Sequence, residues 1–267
     1  MEPTPAAASW GYTSPDGRTD RRSDDSVASV WCVLFDPMQI VPERTSLVLL
    51  GIWNPAILNP GWLAQRVHDV PVGEQVQVQV EQVLMGAAQS PPSFTVSGIK
   101  YTPARNRLEI RPTAITQENI TLAQRAAVRL LNLLPHTPIA AFGQNFEFVE
   151  NHPTPEQLAI FEAGNDLAER CDFEFETVRT QLTSSIQFEN RVLNLQRSNQ
   201  GGQLNLNFNF HYDANSAEVA IEKMANEGLF WENLNLALRI IERVYDVNAS
   251  IETDNPPAVV PEQPVIH

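Results

Sequence analysis

One order of structural elements occurs twice along this chain. A strand-like run, a short helix, three strand-like runs and a closing helix are predicted over about 47–134, and a comparable order returns over about 139–245. Two such units can share one sheet and bury one core, so this repeat constrains the fold more than any single residue does. We therefore predict a first α+β repeat at residues 30–138 and a second at residues 139–246.

A strand is predicted in the second repeat, where two sets of residues alternate: Gln203, Asn205, Asn207, Asn209 and His211 with Leu204, Leu206, Phe208, Phe210 and Tyr212. A period of two predicts a strand with one buried and one polar face. We expect the leucines and phenylalanines to be buried and the three asparagines to share the opposite face. The segment 198–202 contains Gly-Gly and predicts a hairpin with the strand at 191–197.

Strand signals are also present in the first repeat. The segment 74–81 is the clearest strand of the first repeat, with Val76, Val78 and Val80 on one side and the polar residues on the other: Gln75, Gln77, Gln79 and Glu81. The segment 94–101 is predicted as one further strand. In the segment 107–111, the aliphatic residues Leu108 and Ile110 are predicted to face the core.

Helix starts are indicated by capping residues. Thr116 is predicted to cap a helix that ends near Leu134, and Thr154 forms a capping box with Gln157 at the start of a helix that reaches about Arg170. Asn215, with Glu218 three residues later, is predicted to cap a third helix. A last helix over about 229–245 has apolar residues on two stripes, which predicts burial on both sides.

The two ends of the chain have the composition of disordered segments. Residues 1–29 are rich in proline, glycine and charge, and residues 247–267 form an acidic, proline-rich tail. The N-terminal segment lacks the apolar core of a signal peptide, and no run approaches the roughly 18 apolar residues of a membrane span. We therefore expect a cytoplasmic protein that does not enter a membrane.

The charge of the chain argues against binding to nucleic acid. It has 32 acidic residues against 18 Lys and Arg residues, a formal net charge of −14. Acidic surfaces repel phosphate backbones unless the few basic residues cluster. The two cysteines, Cys32 and Cys171, lie beside apolar residues and are predicted to be reduced, buried thiols.

The polar side of the predicted strands is the strongest candidate binding surface. Amides both donate and accept hydrogen bonds, so they can bind peptide backbone, base edges or hydroxyl groups without net charge. Asparagine is depleted in strands, so three at alternate positions need a reason. A simply solvated sheet face is the alternative. The candidate binding residues are Asn205, Asn207, Asn209, His211, Gln77, Gln79, Arg107 and Arg111.

Signals for catalysis are few. His211 and Asp213 are expected to share a strand face, an arrangement in which a carboxylate can orient a general-base imidazole. No Gly-x-Ser-x-Gly, phosphate-binding loop or His-Glu-x-x-His motif occurs. We therefore expect a protein that is not an enzyme and that uses no cofactor or metal, and a hydrolase with a site around His211 ranks third among the hypotheses.

The order of elements over residues 45–245 resembles that of TATA-binding-protein-like repeats. In that architecture two strand-helix-strands-helix units form one curved antiparallel sheet with helices packed on one side. The resemblance concerns element order alone, and it implies no functional residue of that family here. An α+β fold without a true duplication is the alternative.

Two functions follow as hypotheses. The first is a non-catalytic module for protein–protein interaction or assembly, with an unknown protein partner and with self-association left open. The second is a nucleic-acid-binding protein that uses the polar face of the curved sheet. Clustering of Arg105, Arg107, Arg111, Arg191 and Arg197 on one face would favour the second hypothesis, and their dispersal among acidic residues would favour the first.

Overall fold

The computed structural model describes residues 37–75, 77–81, 84–85, 88–89, 91–161, 179–245 and 247–251. The strands in these residues are β1 (Met38–Ile40), β2 (Ser46–Gly51), β3 (Gln79–Glu81), β4 (Leu84–Met85), β5 (Ala88–Gln89), β6 (Ser93–Val96), β7 (Ile99–Pro103), β8 (Arg107–Pro112), β9 (Ile139–Glu150), β10 (Arg179–Phe188), β11 (Arg191–Gln200), β12 (Gln203–Asp213) and β13 (Ala249–Ser250). The helices are α1 (Pro60–Trp62), α2 (Gln117–Leu133), α3 (Pro155–Phe161), α4 (Ala217–Lys223) and α5 (Leu229–Tyr245). A 3-10 turn covers Pro42–Arg44, and a π-helical turn covers Leu63–Val67.

Eleven of these strands form one sheet, and nine of them follow the order β10-β11-β12-β9-β2-β8-β7-β6-β3. Every neighbouring pair in this order is antiparallel. Strand β1 pairs with β9 and, in parallel, with β13. The fold is therefore mixed α+β with a large antiparallel sheet and a few helices, which confirms the predicted class.

Aromatic side chains on one face of β9 and β12 form the centre of the core. Phe146 lies edge-on to Phe210, and Phe148 lies edge-on to Phe208, with 5.9 Å between the ring centroids in each pair. Phe230 of α5 contacts Phe146 at 5.4 Å, so α5 packs on this face. All five rings are fully buried. Burial of each phenylalanine contributes about 1.5–3 kcal/mol.

The predicted register of β12 is confirmed. Leu206, Phe208 and Phe210 are buried, and the asparagines between them lie on the other face, half-buried. The π-helical turn after α1 and the helices α2 to α5 all contribute apolar side chains to the same core or pack against it. Examples, in chain order, are Leu63, Leu130, Leu158, Ala220 and Leu234. We call the core side of the sheet the covered face. The side that carries Asn205, Asn207, Asn209 and His211 is the open face.

Two predicted helix starts are confirmed by their hydrogen bonds. The Thr116 hydroxyl accepts a hydrogen bond from the backbone N–H of Asn119 at 3.2 Å. Thr154 Oγ1 accepts from the Gln157 N–H at 3.2 Å, while Gln157 Oε1 accepts from the Thr154 N–H at 2.7 Å, so the capping box is complete. The predicted extension of this helix beyond Phe161 lies outside the described residues.

The prediction for the segment 74–81 is wrong. Only Gln79–Glu81 forms a strand, and Val78 and Val80 are 38% and 60% exposed; Val76 lies outside the described residues. Strand β3 is the last strand at one edge of the sheet, and it pairs with β6 alone among the described strands. A side chain at an edge has neighbours on one side only, so alternation alone did not guarantee burial.

Two further predictions need correction. The segment 94–101 is a hairpin of β6 and β7 rather than one strand, since Ser97 and Gly98 both have positive φ (51° and 76°) and form a two-residue turn. The cap of α4 is Ser216 rather than Asn215, because the Ser216 hydroxyl accepts from the Val219 N–H at 3.2 Å. A hydroxyl one residue closer to the first turn reaches that donor.

The last helix, α5, is exposed on one side at its C-terminal end. Leu234 and Ile241 are fully buried, whereas Val244, on the second predicted stripe, is 62% exposed. The covered face of the sheet lies on one side of this helix, and no second layer covers Val244 among the described residues. The prediction that α5 is sandwiched is therefore wrong at its C-terminal end.

The folded region extends past the predicted boundary at residue 246. Val247 is buried, and Ala249 and Ser250 of β13 pair with β1, where Met38 N–H donates to the Asn248 carbonyl at 2.8 Å. The predicted tail at 1–29, the apolar run 31–35 and both cysteines lie outside the described residues, as do residues 252–267. Within the described part of the chain, no helix has the length and apolar character needed to span a membrane.

Candidate functional site: the open face of the sheet

Strand register brings polar residues of neighbouring strands together on the open face. Asn207 lies opposite Glu147 of β9 and Gln196 of β11. Asn209 lies opposite Asn145 and Asn194 in the same way. Directly paired residues of an antiparallel sheet point to the same side, so the amides of β12 are part of a polar surface that several strands share.

A row of side-chain hydrogen bonds crosses five strands of this surface. Ser185 Oγ donates to Asn194 Oδ1 at 2.8 Å, and Asn194 Nδ2 donates to Asn209 Oδ1 at 3.1 Å. Asn209 Nδ2 donates to Asn145 Oδ1 at 2.7 Å, and Asn145 Nδ2 donates to Ser46 Oγ at 3.2 Å. We call this series the amide row. It uses both the oxygen and the nitrogen of the Asn209 amide.

Gly143 makes space for the amide row. It lies opposite His211, and a Cβ atom at residue 143 would lie 3.0 Å from Nδ2 of Asn209. A separation this short would push the amide away from Asn145. The row gives Asn145, Asn194 and Asn209 a structural reason to be in strands where asparagine is otherwise unfavourable.

Asn205 and Asn207 differ from Asn209. Neither side chain forms a hydrogen bond to another described residue, and both line a depression of about 250 Å³ on the open face. Gln196 and Ser198 of β11 line its floor, and Arg179 and Glu147 also contribute to its walls. We call this depression the amide hollow. Its lining offers free amide donors and acceptors beside one cation and one anion.

The two charged residues of the amide hollow each have a local contact. Arg179 Nη2 donates to Gln181 Oε1 at 2.5 Å. Glu147 Oε2 lies 3.9 Å from Nε of Arg44, whose side chain is largely exposed. Exposed ion pairs at this distance are weak, so Glu147 can exchange this contact for a ligand at little cost.

Arg107, Arg111 and Gln79 also lie on the open face, but far from the hollow. Arg107 is exposed on β8, and Arg111 Nη2 lies 2.5 Å from Glu109 Oε1. Gln79 Nε2 donates to Glu81 Oε1 at 3.3 Å, and Glu81 also pairs with Lys100. Gln77 and Gln79 line a separate depression of about 680 Å³. With about 4.8 Å between strands, β8 lies roughly 14 Å and β3 roughly 29 Å from β12.

The arginines that could have marked a nucleic-acid interface are divided between the two faces. Arg107 and Arg111 are on the open face with Glu109. Val192 pairs with His211 on the open face, so Arg191, one residue earlier, lies on the covered side. The Nη1 group of Arg191 donates to the Tyr212 hydroxyl at 3.3 Å. Arg197 pairs with Leu206 on the covered side and lies beside Tyr245, whose pKa is raised by burial and lowered to a lesser extent by this guanidinium.

The described histidines do not form a catalytic constellation. His211 Nε2 lies 3.2 Å from Asp213 Oδ1, which is the predicted pair, but the register partners of His211 are Gly143 and Val192. These partners supply neither a nucleophile nor an oxyanion donor from a side chain. Among the described residues, no group of three His, Cys, Asp or Glu side chains is placed to hold a metal ion.

A second histidine has a structural contact. His68 Nε2 lies 2.7 Å from the hydroxyl of Tyr101, which is fully buried. The pKa of His68 is lowered by burial and by the Arg129 guanidinium, against an opposing effect of Asp69. Burial raises the pKa of Tyr101. A neutral imidazole therefore satisfies the buried hydroxyl.

Sequence reasoning missed the two charged members of the hollow, Glu147 and Arg179. A signal for Glu147 exists in the segment 139–150, where Asn145 and Glu147 alternate with Phe146 and Phe148. Nothing in the sequence shows that β9 lies next to β12, so the hollow could not be assembled before the sheet order was known. The same holds for the buried pair in which Asn233 Nδ2 donates to Gln144 Oε1 at 2.5 Å.

A scan against protein-family models and a search of curated proteins found no match to this chain. The free amides of the open face can donate and accept hydrogen bonds to a neutral polar chain.

Proposed function

We propose that this protein is a non-catalytic module for protein–protein interaction, and that it binds its partner on the open face through the amide hollow. The observation that carries the proposal is the difference between Asn209 and its neighbours on β12. Asn209 is held in the amide row, whereas Asn205 and Asn207 keep their donors and acceptors unoccupied by described residues. A peptide backbone offers the matching acceptors and donors.

The charge distribution supports a protein partner over nucleic acid. A phosphate backbone requires several unpaired cations on one surface. The described part of the open face instead mixes Arg107, Arg111 and Lys100 with Glu81, Glu109 and Glu147, while Arg191 and Arg197 lie on the other side. Nucleic-acid binding is therefore the second candidate.

We also propose that the two halves are repeats of a TATA-binding-protein-like architecture, with residues 30–138 and 139–246 as the units. Strand order supports this. The strands that begin the repeated order of elements in each half, β2 and β9, are neighbours at the centre. On its other side, β2 pairs with β8 and β9 pairs with β12, which are the last strands of their halves. From there the order continues outward through β7 and β6 in the first half and through β11 and β10 in the second. The test is a structural alignment of one half onto the other, and failure to superpose β2-β8-β7-β6 on β9-β12-β11-β10 would contradict it.

Affinity capture with matched variants tests the function. The full chain is immobilised and its partner is recovered from lysate, identified and purified, and the affinity is then measured in solution. Asn205→Ser/Asn207→Ser should reduce binding at least roughly tenfold while the melting temperature is retained, because each replaced amide removes a donor and an acceptor. Asn132→Ser/Asn235→Ser, with two asparagines on α2 and α5, is the control and should bind like the parent.

Retained affinity in a folded Asn205→Ser/Asn207→Ser variant would discard the amide hollow as the site. Salt dependence separates the two candidate functions. Binding that is lost steeply between low and high salt, and that disappears on nuclease treatment, would support the nucleic-acid alternative. Binding to a purified protein that persists in high salt supports the proposal.

A further inference from the structure

The two edges of the large sheet are not equivalent. At one edge, β3 has three residues and ends at Glu81, which pairs with Lys100. At the other edge, β10 has ten residues and pairs with β11 alone among the described strands. A long edge strand presents unpaired backbone groups, and natural proteins usually protect such edges with charge, proline or a short length.

Strand β10 begins with the charged residue Arg179, but the rest of the strand lacks this protection. The segment 180–187 reads Thr-Gln-Leu-Thr-Ser-Ser-Ile-Gln and contains no charged residue, proline or glycine. Ile186 is 46% exposed although its register partners are Leu193 and then Phe210, both buried. It is therefore the outermost member of an apolar row on the covered side, with a partner on one side only.

The same segment is chemically symmetric about Ser184. Gln181 corresponds to Gln187, Leu182 to Ile186, and Thr183 to Ser185. In an antiparallel pair related by a twofold axis at Ser184, each residue lies opposite its counterpart in the second copy. Leu182 and Ile186 both point to the covered side, so the two would meet on the correct face.

We infer that β10 is a self-association edge, which pairs with β10 of a second copy of this chain across a twofold axis at Ser184. The two sheets then continue into one, and Ile186 of each copy is covered by Leu182 of the other. Apolar cross-strand pairs and the new backbone hydrogen bonds stabilise this interface. The amide hollow reaches β10 at Arg179, but Asn205 and Asn207 lie on β12, and the two proposals are tested by variants at different residues, so either proposal can fail without the other.

Charged substitutions test both the edge and its register. The dissociation constant of the full-length dimer is measured by sedimentation equilibrium up to about 100 µM, since an interface of one strand pair is small. Ile186→Lys and Leu182→Glu should each raise the dissociation constant roughly tenfold or more, because each places a charge opposite an apolar side chain. The double variant Leu182→Glu/Ile186→Lys should associate again, because Glu and Lys then face each other twice.

Val80→Lys is the matched control, since Val80 is an exposed aliphatic residue on the covered side of the opposite edge. It should leave the dissociation constant unchanged, and thermal melts verify that every variant is folded. A parent chain that is monomeric throughout, a control as disruptive as Ile186→Lys, or a double variant that stays monomeric would each overturn the inference. A monomer with slow amide exchange along β10 would show that the same chain covers this edge.

Discussion

The covered face and the open face of the sheet are built from the same strands, but they fix strand register by different means. On the covered face, Phe146, Phe148, Phe208 and Phe210 interlock as pairs of rings. On the open face, the amide row joins Asn145, Asn194 and Asn209 through directional hydrogen bonds. Slipping β12 by one residue would place asparagine in the core and phenylalanine in water. The amide row therefore belongs to the fold, whereas Asn205 and Asn207 in the amide hollow beside it have no hydrogen-bond partner among the described residues.

The largest expected difference between the faces is in stability. Phe208→Ala should lower the free energy of unfolding by about 3–5 kcal/mol, because it leaves a cavity beside Phe148 in the core. Asn207→Ala, one residue earlier, should lower it by less than about 0.5 kcal/mol, because this side chain has no described partner to lose. Urea denaturation of both variants checks this. Equal losses of unfolding free energy in the two variants would contradict the difference in burial between the two faces.

A smaller effect separates the amide row from the hollow. Asn209→Ala removes two half-buried hydrogen bonds and should lower the free energy of unfolding by about 1–2 kcal/mol. Asn205→Ala is the control on the same strand and should be nearly neutral. A double-mutant cycle with Asn145 should give a coupling energy of about 0.5–1.5 kcal/mol. A coupling energy near zero would show that the amide row does not help to fix the strand register.

The smallest expected effect is the pH dependence of stability that His68 causes in the first half of the chain. Since burial lowers the pKa of His68 in the folded state below its ordinary value of 6.5, the unfolded chain takes up this proton first as the pH falls. Stability should therefore decrease as the pH falls below 6.5, down to the folded-state pKa of His68. His68→Gln keeps a partner for the Tyr101 hydroxyl and should reduce the loss of melting temperature between about pH 7.5 and about pH 5.5. An equal loss in both proteins would contradict the assignment.

The sequence predicted correctly those elements that depend on residues close together in the chain. The alternation along β12, the hairpin at 198–202 and the Thr154 capping box depend on neighbours in sequence, and the structure confirms them. Val78 and Val80 show the limit of such signals, since whether an alternating valine is buried depends on how many strands flank it. The Ser97-Gly98 turn was present in the sequence as a turn dipeptide and was overlooked.

The candidate site was predictable only in part. The polar side chains of β12 were identified from alternation, but the sequence could not separate Asn209, which the amide row holds, from Asn207, which it leaves free. That distinction depends on Asn145, 64 residues away in the chain, and on Gly143, which admits the amide. The residues predicted on β8 and β3 share the face but not the hollow, because sheet order sets their distance.

Cysteine labelling on β12 tests most directly whether the open face is free. In a Cys32→Ser/Cys171→Ser background, Asn207→Cys and Leu206→Cys place a thiol on opposite faces at adjacent positions. We expect a maleimide to label residue 207 quickly and residue 206 slower by orders of magnitude, because residue 206 reacts only after unfolding. Addition of the captured partner should slow labelling at residue 207. If residue 207 of the isolated protein were labelled as slowly as residue 206, the open face would be covered. That result would contradict the claim that the two faces differ.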